Sequence, residues 1–478
     1  SYDDGAHWFK GNSHGVSQFY AVNVDEQEPY NIYGGMQDNG VWVGPSNYKF
    51  SSEWYQTGKY PYENLIGGDG MQIQIDKRNP NIVFTGFQFG NYYRIDRANN
   101  KRDYISPVQK KGEKPFRYNW QTPILLSSHN QEILYMGSNF LHRSMNQGQT
   151  WTAISPDLTQ GAKEGNVAFG TIAAISESPL QFDLLYTGSD DGLVHVSKDG
   201  GATWNIISGN LPQNRWISRV VASAHKKERV YVTLNGYRND DFTTYVYMSD
   251  DFGQTWINIA TNLPTSPVNV LVEDNVNEDV LYLGTDNGLY VSLNKGSLWN
   301  DFSNGIPNVA VHDLVIQKKA KDLVVGTHGR SIYKVNLEPV QQLNEKVLAE
   351  NLHVFEIKKI KKSKEWGNNW SSWAKAAEPK AEIWFYSDSD AEVVIQVENS
   401  LKEVVFSQKI KAVKGLNNLA YDLSIAKSKA DNWKKKDKKL KLEESKNGKY
   451  YLPISINKIS IQKGKENVFT NLEIIESK

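Results

Sequence analysis

One eight-residue pattern, Ser-x-Asp-x-Gly-x-Thr-Trp, constrains this 478-residue chain more than any other feature. It is complete at Ser197–Trp204 and at Ser249–Trp256, and three near-copies keep the same spacing. A pattern that returns along a chain marks a structural unit that is itself repeated. The five copies are Ser1–Trp8, Ser144–Trp151, Ser197–Trp204, Ser249–Trp256 and Ser292–Trp299.

A two-strand signature precedes most of these copies. It consists of an apolar run ending in Gly, a short polar turn and a second, alternating run, as in LLYTGSDDGLVHVS. Its Asp-Gly and Asn-Gly turns supply the positive-φ residues that tight hairpins need. Related segments without the turn pattern bring the number of units to seven, spaced by about 40 to 50 residues. The residues that mark the units are Gly35, Gly86, Gly137, Gly188, Asn235, Gly284 and Gly326.

This period is typical of a four-stranded propeller blade. The sequence therefore predicts an all-β chain, with a seven-bladed β-propeller over residues 1–336 and a small β-sandwich over residues 379–478. A linker over 337–378 is predicted to contain a short helix and a Trp-rich loop that packs the tail onto the propeller. The seventh unit lacks an outer strand, and we expect the first residues of the chain to supply it and close the ring.

Composition excludes several classes of protein. The chain has no Cys, which removes disulfides, thiolate metal sites and thiol catalysis. No apolar run approaches the roughly 20 residues that span a bilayer. Phosphate-binding, zinc-protease and serine-hydrolase motifs are absent from the sequence, and we predict neither a cofactor nor a metal site. Because the chain opens with Ser1 inside a motif, we expect a processed or trimmed piece.

Charge is unevenly distributed along the chain. The formal charge is +8 from residue 351 onward and −8 over the first 350 residues, which fits two domains. The lysine-rich stretch KKKDKKLKLEESK mixes both signs and lacks interleaved aromatic residues. We interpret it as a solvated loop and expect no nucleic-acid partner.

The repeated turn is predicted to be structural. Its Ser and Asp side chains can accept backbone N–H bonds, its Gly adopts the left-handed conformation, and its Trp packs between sheets. Asn146 and Asn294 replace the Asp in two copies, which suits hydrogen bonding better than a charge-based role. Ligands are then expected on the opposite face, where the other loops converge.

Two acidic loops are predicted on that face. Asp38 and Asn39 lie in the first hairpin turn, and Asp69 lies between glycines ahead of the second inner strand. Two carboxylates across a cleft can act as acid and base in glycoside hydrolysis. A turn-forming or structural role for either carboxylate is the alternative.

Further candidates are polar or aromatic residues of the same face. Arginines beside aromatic rings can bind a carboxylate or a sugar acid. Salt bridges between blades are the alternative role for each. The predicted ligand-binding residues are Asn39, Asn119, Trp120, Arg219, Arg238, Asn269, His312, His328 and Arg330.

The repeated turn resembles the Asp-box, or BNR repeat, of sialidases and of sortilin-type and xyloglucanase-like propellers. Nearly the whole chain resembles the C-terminal half of secreted bacterial BNR-repeat proteins described as sortilin-like or glycosyl-hydrolase-like, through segments such as YGGMQDNGVWVGPS and DLVVGTHGRSIY. The terminal domain is similar to the FlgD-type Ig-like domain. This resemblance implies another propeller upstream, and in xyloglucanase-like relatives catalytic aspartates lie between two propellers.

Two functions stay open from the sequence. The first is a secreted, periplasmic or cell-surface protein that binds a polysaccharide or peptide at the propeller mouth, with an upstream propeller or a partner protein. The second is a glycoside hydrolase with Asp38 and Asp69 as the acid and base. Neither requires a cofactor or a membrane span.

Overall fold

The computed structural model describes residues 3–6, 15–48, 60–165, 167–369, 375–438 and 440–477. The chain divides into two compact units, Ser1–Leu337 and Glu338–Lys478. Strand residues far outnumber helical residues in the described part of the chain, which confirms the predicted all-β class. Among them no helix is long and apolar enough to cross a membrane.

The described part of the first unit consists of consecutive antiparallel sheets, in which each strand pairs with its neighbours in chain order. We number them sheet 1 to sheet 7 along the chain. Six have four strands and the last has three. Sheet 1 contains β1 (Phe19–Val24), β2 (Asn31–Met36), β3 (Gly40–Pro45) and β4 (Glu63–Ile66); sheet 2 contains β5 (Gln74–Ile75), β6 (Ile82–Phe87), β7 (Asn91–Asp96) and β8 (Lys101–Tyr104); sheet 3 contains β9 (Ile124–Leu126), β10 (Leu134–Gly137), β11 (Leu141–Ser144) and β12 (Thr152–Ala153).

The other four sheets repeat this order. A single turn of 3-10 helix, Tyr237–Asn239, lies between the second and third strands of sheet 5. Sheet 4 contains β13 (Ile172–Glu177), β14 (Leu185–Ser189), β15 (Val194–Ser197) and β16 (Asn205–Ile206); sheet 5 contains β17 (Trp216–Ala222), β18 (Val230–Gly236), β19 (Asp241–Ser249) and β20 (Ile257–Asn258); sheet 6 contains β21 (Val268–Glu273), β22 (Leu281–Thr285), β23 (Gly288–Ser292) and β24 (Trp299–Asp301); sheet 7 contains β25 (Val311–Gln317), β26 (Asp322–Thr327) and β27 (Ile332–Asn336).

Buried apolar side chains fill the spaces between neighbouring sheets. Val41 and Leu65 of sheet 1 share one core with Val83 of sheet 2 and with Ile73, which directly precedes the first strand of sheet 2. The first strands also pack side by side, β13 on β17, β17 on β21 and β21 on β25. Strand β25 packs against β1, so the first and last of these sheets are neighbours. The inner strands of the sheets are therefore largely buried and strongly apolar, whereas fourth strands such as Lys101–Tyr104 are mostly exposed.

The unit-marking glycines make this close packing possible. A Cβ on Gly188 would lie 2.3 Å from Cγ2 of Ile217, in the first strand of the next sheet. A Cβ on Gly326 of sheet 7 would lie 2.7 Å from Cγ1 of Val22 in sheet 1. Sheet 5 has Asn235 at the equivalent position, where the side chain donates to the carbonyl of Val268 in sheet 6. At Gly188, Asn235 and Gly326 the marker position is thus a contact point between sheets, which the repeat alone did not reveal.

The Ser-x-Asp/Asn turns join the third and fourth strands of sheets 3 to 6. In sheet 5, the hydroxyl of Ser249 accepts the N–H of Gly253 at 2.8 Å and donates to Asp251 at 2.7 Å. Asp251 in turn accepts the N–H of Thr255 at 2.9 Å. Gly253 has φ of +88°. The turn Ser1–Trp8 and the predicted closing strand lie largely outside the described residues.

The tryptophan of each described turn ties its sheet to the preceding one. The indole N–H of Trp204 donates to the carbonyl of Ile154 at 2.9 Å, and that of Trp256 donates to the carbonyl of Ile207 at 2.7 Å. Each acceptor directly follows the fourth strand of the preceding sheet. The repeat therefore encodes a bond between sheets as well as a turn within one.

The second unit contains a three-stranded sheet of order β28-β30-β33, a five-stranded sheet of order β29-β37-β36-β31-β32 and the pair β34-β35. Its helices are Glu338–Gln341, Glu345–Leu348 and Lys427–Lys436. Its strands are β28 (Leu352–Val354), β29 (Ile360–Lys361), β30 (Ala381–Ser387), β31 (Ala391–Glu398), β32 (Val404–Ala412), β33 (Gly415–Tyr421), β34 (Ser424–Ile425), β35 (Tyr450–Tyr451), β36 (Ser455–Lys463) and β37 (Glu466–Ile475).

One buried core serves both larger sheets, with Phe385 from the three-stranded sheet and Ile395 and Leu472 from the five-stranded sheet. Strands β28 and β29 come from the segment predicted as a linker and pair with β30 and β37.

Part of the lysine-rich stretch, predicted to be a solvated loop, is the end of a helix whose Trp433 is 1% exposed in this core. The prediction was therefore wrong for residues 434–436, which continue the helix anchored by Ala430 and Trp433, whereas the described residues from 437 to 446 lie outside the helix and are mostly exposed. Trp366 packs against Tyr451 of the same unit, with ring centroids 6.0 Å apart. Trp370 and Trp373 lie outside the described residues.

Candidate functional site

A cavity of about 680 Å³ opens where the first strands and the loops between second and third strands converge. Residues from sheets 1, 4, 5, 6 and 7 line it, together with the segment that leads into sheet 3. Its lining residues are Tyr20, Gln37, Asn119, Trp120, Gln121, Ala173, Trp216, Ser218, Arg219, Asn235, Tyr237, Arg238, Asn269, Asp286, Ala310, His312 and His328.

The structure brings seven of the nine predicted ligand-binding residues to this cavity. Asn39 and Arg330 are not among its lining residues; both are exposed on hairpin loops. Neither Asp38 nor Asp69 lines the cavity. The seven lining residues are Asn119, Trp120, Arg219, Arg238, Asn269, His312 and His328.

Asp38 and Asp69 lie in adjoining loops instead of facing each other across a groove. Oδ1 of Asp69 accepts the backbone N–H of Asp38 at 2.7 Å. Asp69 is 8% exposed, and Asp38 adopts φ of +59° in its turn. This geometry supports a turn-holding role for Asp69, and the acid–base role of the pair stays a prediction.

Arg219 forms part of the cavity floor. Its Nη2 donates to Oδ1 of Asp313 at 2.9 Å, and its Nη1 donates to the carbonyl of Ser218 at 2.9 Å. Oδ2 of Asp313 accepts the N–H of Val22 at 2.9 Å. A second, smaller cavity of about 220 Å³ also has Arg219 in its lining. The predicted alternative, a salt bridge between blades, thus describes Arg219.

Two histidines form one wall of the cavity. The rings of His312 and His328 stack with centroids 4.4 Å apart, and Tyr20 lies 5.7 Å from His328. Burial lowers the pKa of His312 to about 3, with further contributions from His328 and Arg219. Burial also lowers the pKa of His328, although the charge of Asp286 opposes this shift. Both rings are therefore neutral at pH 7, and Nε2 of His328 donates to Oε1 of Gln37 at 3.1 Å.

Arg238 lies among aromatic rings. Its guanidinium carbon is 4.1 Å from the ring centroid of Trp216 and 4.6 Å from that of Tyr237. Among the described residues, no carboxylate forms an ion pair with Arg238. Cation–π contacts cover the faces of the guanidinium and leave its in-plane N–H groups for other partners.

Amide side chains in the cavity lining link sheets 5 and 6. Nδ2 of Asn235 donates to Oδ1 of Asn269 at 3.1 Å, and Nδ2 of Asn269 donates to Oδ1 of Asp286 at 2.8 Å. Asn119 differs because its side chain is 1% exposed and donates to Thr171 and Asp190. Asn119 therefore shapes the cavity, while Asn269 and Asp286 remain partly exposed to it.

Sequence reasoning missed several lining residues. Trp216 begins the first strand of sheet 5, and Tyr237 and Asp286 lie in the loops between second and third strands of sheets 5 and 6. Gln37 immediately precedes the Asp38 that was singled out. Their repeat positions were signals that could have identified them. Within the described ranges, no group of three or more His, Asp or Glu side chains is arranged to hold a metal ion.

Comparison with known proteins identifies the fold of this region. Residues 120–333 match the family described as DUF6242 beta propeller domain. The chain is similar to the GH74 xyloglucanase from Xanthomonas campestris, with a TM-score of 0.52 and 16% identity over 69% of this chain and 53% of that enzyme. It is also similar to the GH74 enzyme from Niastella koreensis, with a TM-score of 0.50 and 15% identity over 97% of this chain and 74% of that enzyme.

The chain contains a β-propeller domain, and identities this low indicate a shared fold alone. It spans about half the length of the Xanthomonas enzyme. No curated protein matches the sequence.

Proposed function

We propose that the chain is a secreted or cell-surface binding protein whose seven-bladed propeller holds a glycan in the cavity at its mouth. The repeated turns are Asp-boxes that brace the opposite face. The second unit is an Ig-like β-sandwich that acts as a spacer or docking module, and an upstream propeller or a partner protein completes the assembly.

The lining of the cavity is the observation that supports this proposal. Ligand sites are concave, of about 300 to 1,000 Å³, and combine apolar surfaces with a few placed polar groups. Here Trp120 is 38% exposed and Tyr237 is 46% exposed, so both present ring surface to a ligand. The amides of Gln37 and Asn269 add hydrogen-bonding groups that suit sugar hydroxyls.

A glycan fits this lining better than an extended peptide does. One common way for an extended peptide to bind is to pair with an exposed strand edge of a sheet. Several N–H groups of the first strands are already occupied by side chains, because Ile124 donates to Gln72, Leu126 to Gln74 and Ala222 to Ser176. Ring stacking and side-chain hydrogen bonds remain the available contacts.

Hydrolysis by Asp38 and Asp69 is less well supported than binding. Asp69 is buried and does not line the cavity. One of its carboxylate oxygens already accepts the backbone N–H of Asp38. A general acid or base must reach the proton that it transfers. The likeness to the GH74 enzymes concerns the fold.

The test is a glycan array with the full chain, combined with a reducing-end release assay on each bound glycan. We expect binding without release, and an affinity about three- to tenfold weaker in Trp120→Ala because a stacking surface is lost. Tyr104→Ala is the matched control, because Tyr104 is an exposed aromatic residue on β8 and does not line the cavity.

If the chain releases sugar and Asp69→Asn abolishes this release, the chain is a hydrolase and the proposal of binding without hydrolysis is wrong. Binding of peptides but no glycan, again weakened by Trp120→Ala, would replace the glycan with a peptide ligand. Binding that is unaffected by Trp120→Ala would exclude the cavity as the site.

A further inference from the structure

We infer that the glycan bound in this cavity carries a carboxylate, as uronic acids and other sugar acids do, and that Arg238 binds it. This inference rests on the proposed function and adds the chemical class of the ligand. It begins from a contrast between the two arginines that line the cavity, Arg219 and Arg238.

The charge of Arg219 is already neutralised by Asp313, at 2.9 Å. Arg215, which directly precedes strand β17, is likewise paired with Asp241 at 2.7 Å. Arg238 has no such partner among the described residues. An arginine that is held in a ligand cavity without a carboxylate is suited to receive one from the ligand, since guanidinium binds carboxylates through two parallel hydrogen bonds.

The loop that carries Arg238 is held in place before a ligand arrives. Oδ2 of Asp241 accepts from Nε of Arg215 and from the hydroxyl of Tyr245, at 2.7 and 2.9 Å. The N–H of Asp240 donates to the carbonyl of Tyr237 at 3.1 Å and closes the turn. Although Arg238 is exposed, the contacts of its guanidinium with Trp216 and Tyr237 restrict its conformations, which lowers the entropy cost of ordering it on binding.

The carboxylate in the cavity lining, Asp286, does not compete for Arg238. It lies on sheet 6, forms no ion pair with Arg238, and accepts a hydrogen bond from Asn269. A carboxylate in that position favours a donor such as a sugar hydroxyl. The cavity therefore presents a cationic group for an acid and separate acceptors for hydroxyls, a combination that an acidic sugar satisfies.

The experiment measures binding of the full chain to pectate, alginate and hyaluronan in 0.15 M NaCl, each beside the same polymer after its carboxyl groups have been reduced to alcohols. We expect at least one uronate polymer to bind, and carboxyl reduction to weaken its binding about tenfold or more. Arg238→Gln should produce a similar loss, and Arg238→Lys an intermediate one because lysine cannot bind in bidentate fashion.

Arg102→Gln is the matched control. Arg102 is exposed on β8, away from the cavity lining, and this change removes the same charge. Circular dichroism and thermal unfolding establish that each variant is folded.

Each outcome either supports or overturns the inference. Equal losses in Arg102→Gln and Arg238→Gln would indicate non-specific charge attraction and overturn it. Binding to neutral glycans that survives Arg238→Gln would overturn the acidic ligand and leave glycan binding intact. Binding to none of these polymers would overturn the acidic-sugar inference, while glycan binding itself is judged by the array test of the proposed function.

Discussion

Arg219 of sheet 5 and Asp313 of sheet 7 form an ion pair of 2.9 Å, although 93 residues separate them in the sequence. Sheet 6 lies between these two sheets in chain order, so the pair joins first strands that are not consecutive. The second oxygen of Asp313 reaches Val22 of sheet 1. One carboxylate thus links three of the sheets beneath the cavity.

We expect Asp313→Asn to destabilise the propeller by about 1–3 kcal/mol, because it leaves the partly buried Arg219 without its counter-charge. Urea unfolding of the full chain measures this loss. Asp103→Asn, which removes the exposed partner of Lys101, is the control and should have little effect. A double-mutant cycle of Arg219→Gln and Asp313→Asn with no coupling would contradict the prediction.

We expect Ser249→Ala to destabilise the propeller by about 1–3 kcal/mol. Ser249 is 1% exposed, and its loss leaves the N–H of Gly253 without an acceptor. Asp251→Asn should be milder, because Asn146 and Asn294 fill the same position in two other turns and accept the same backbone bond. The measurement is the shift in the urea midpoint. Equal losses in the two variants would show that the charge of Asp251 matters as much as the turn.

We expect Gly188→Ala to cost about 1–3 kcal/mol because the new methyl group would overlap Ile217 of the next sheet. Gly209→Ala is the matched control. A Cβ at Gly209 meets no atom within 4 Å, so its effect should stay within about 0.5 kcal/mol. Thermal unfolding of both variants measures the difference, and equal midpoints would disprove the close approach of the two sheets.

We expect acid to destabilise the propeller partly through His312, whose pKa burial lowers to about 3. In the unfolded chain a histidine has a pKa of about 6.5, so between these values the unfolded state binds the extra proton. Stability should therefore be complete above about pH 6.5 and fall as the pH decreases towards 3.

His312→Gln should remove this part of the pH dependence, up to about 1.4 kcal/mol per pH unit. Urea unfolding of the wild type and the variant between pH 4 and 8 provides the comparison. Curves that remain parallel below pH 6 would show that His312 does not titrate as its burial predicts.

The local structure of the propeller domain could be predicted from the sequence alone. Period, hairpin turns and the Ser-x-Asp pattern depend on neighbouring residues, and the strands, the Gly253 turn and its hydrogen bonds follow from them. The sequence also predicted that Trp120, Arg238 and His328 lie at the end of the sheets where the cavity is, because their positions in the repeat set that end.

Which of these residues contact each other depends on the tertiary structure. Arg219 is neutralised by Asp313 and Arg238 is not, yet nothing in their local sequences distinguishes the two. Asp69 is occupied by the main chain of Asp38, a contact set by how two neighbouring sheets approach. Such partners lie tens to hundreds of residues apart, and only the packing of sheet on sheet brings them within hydrogen-bonding distance.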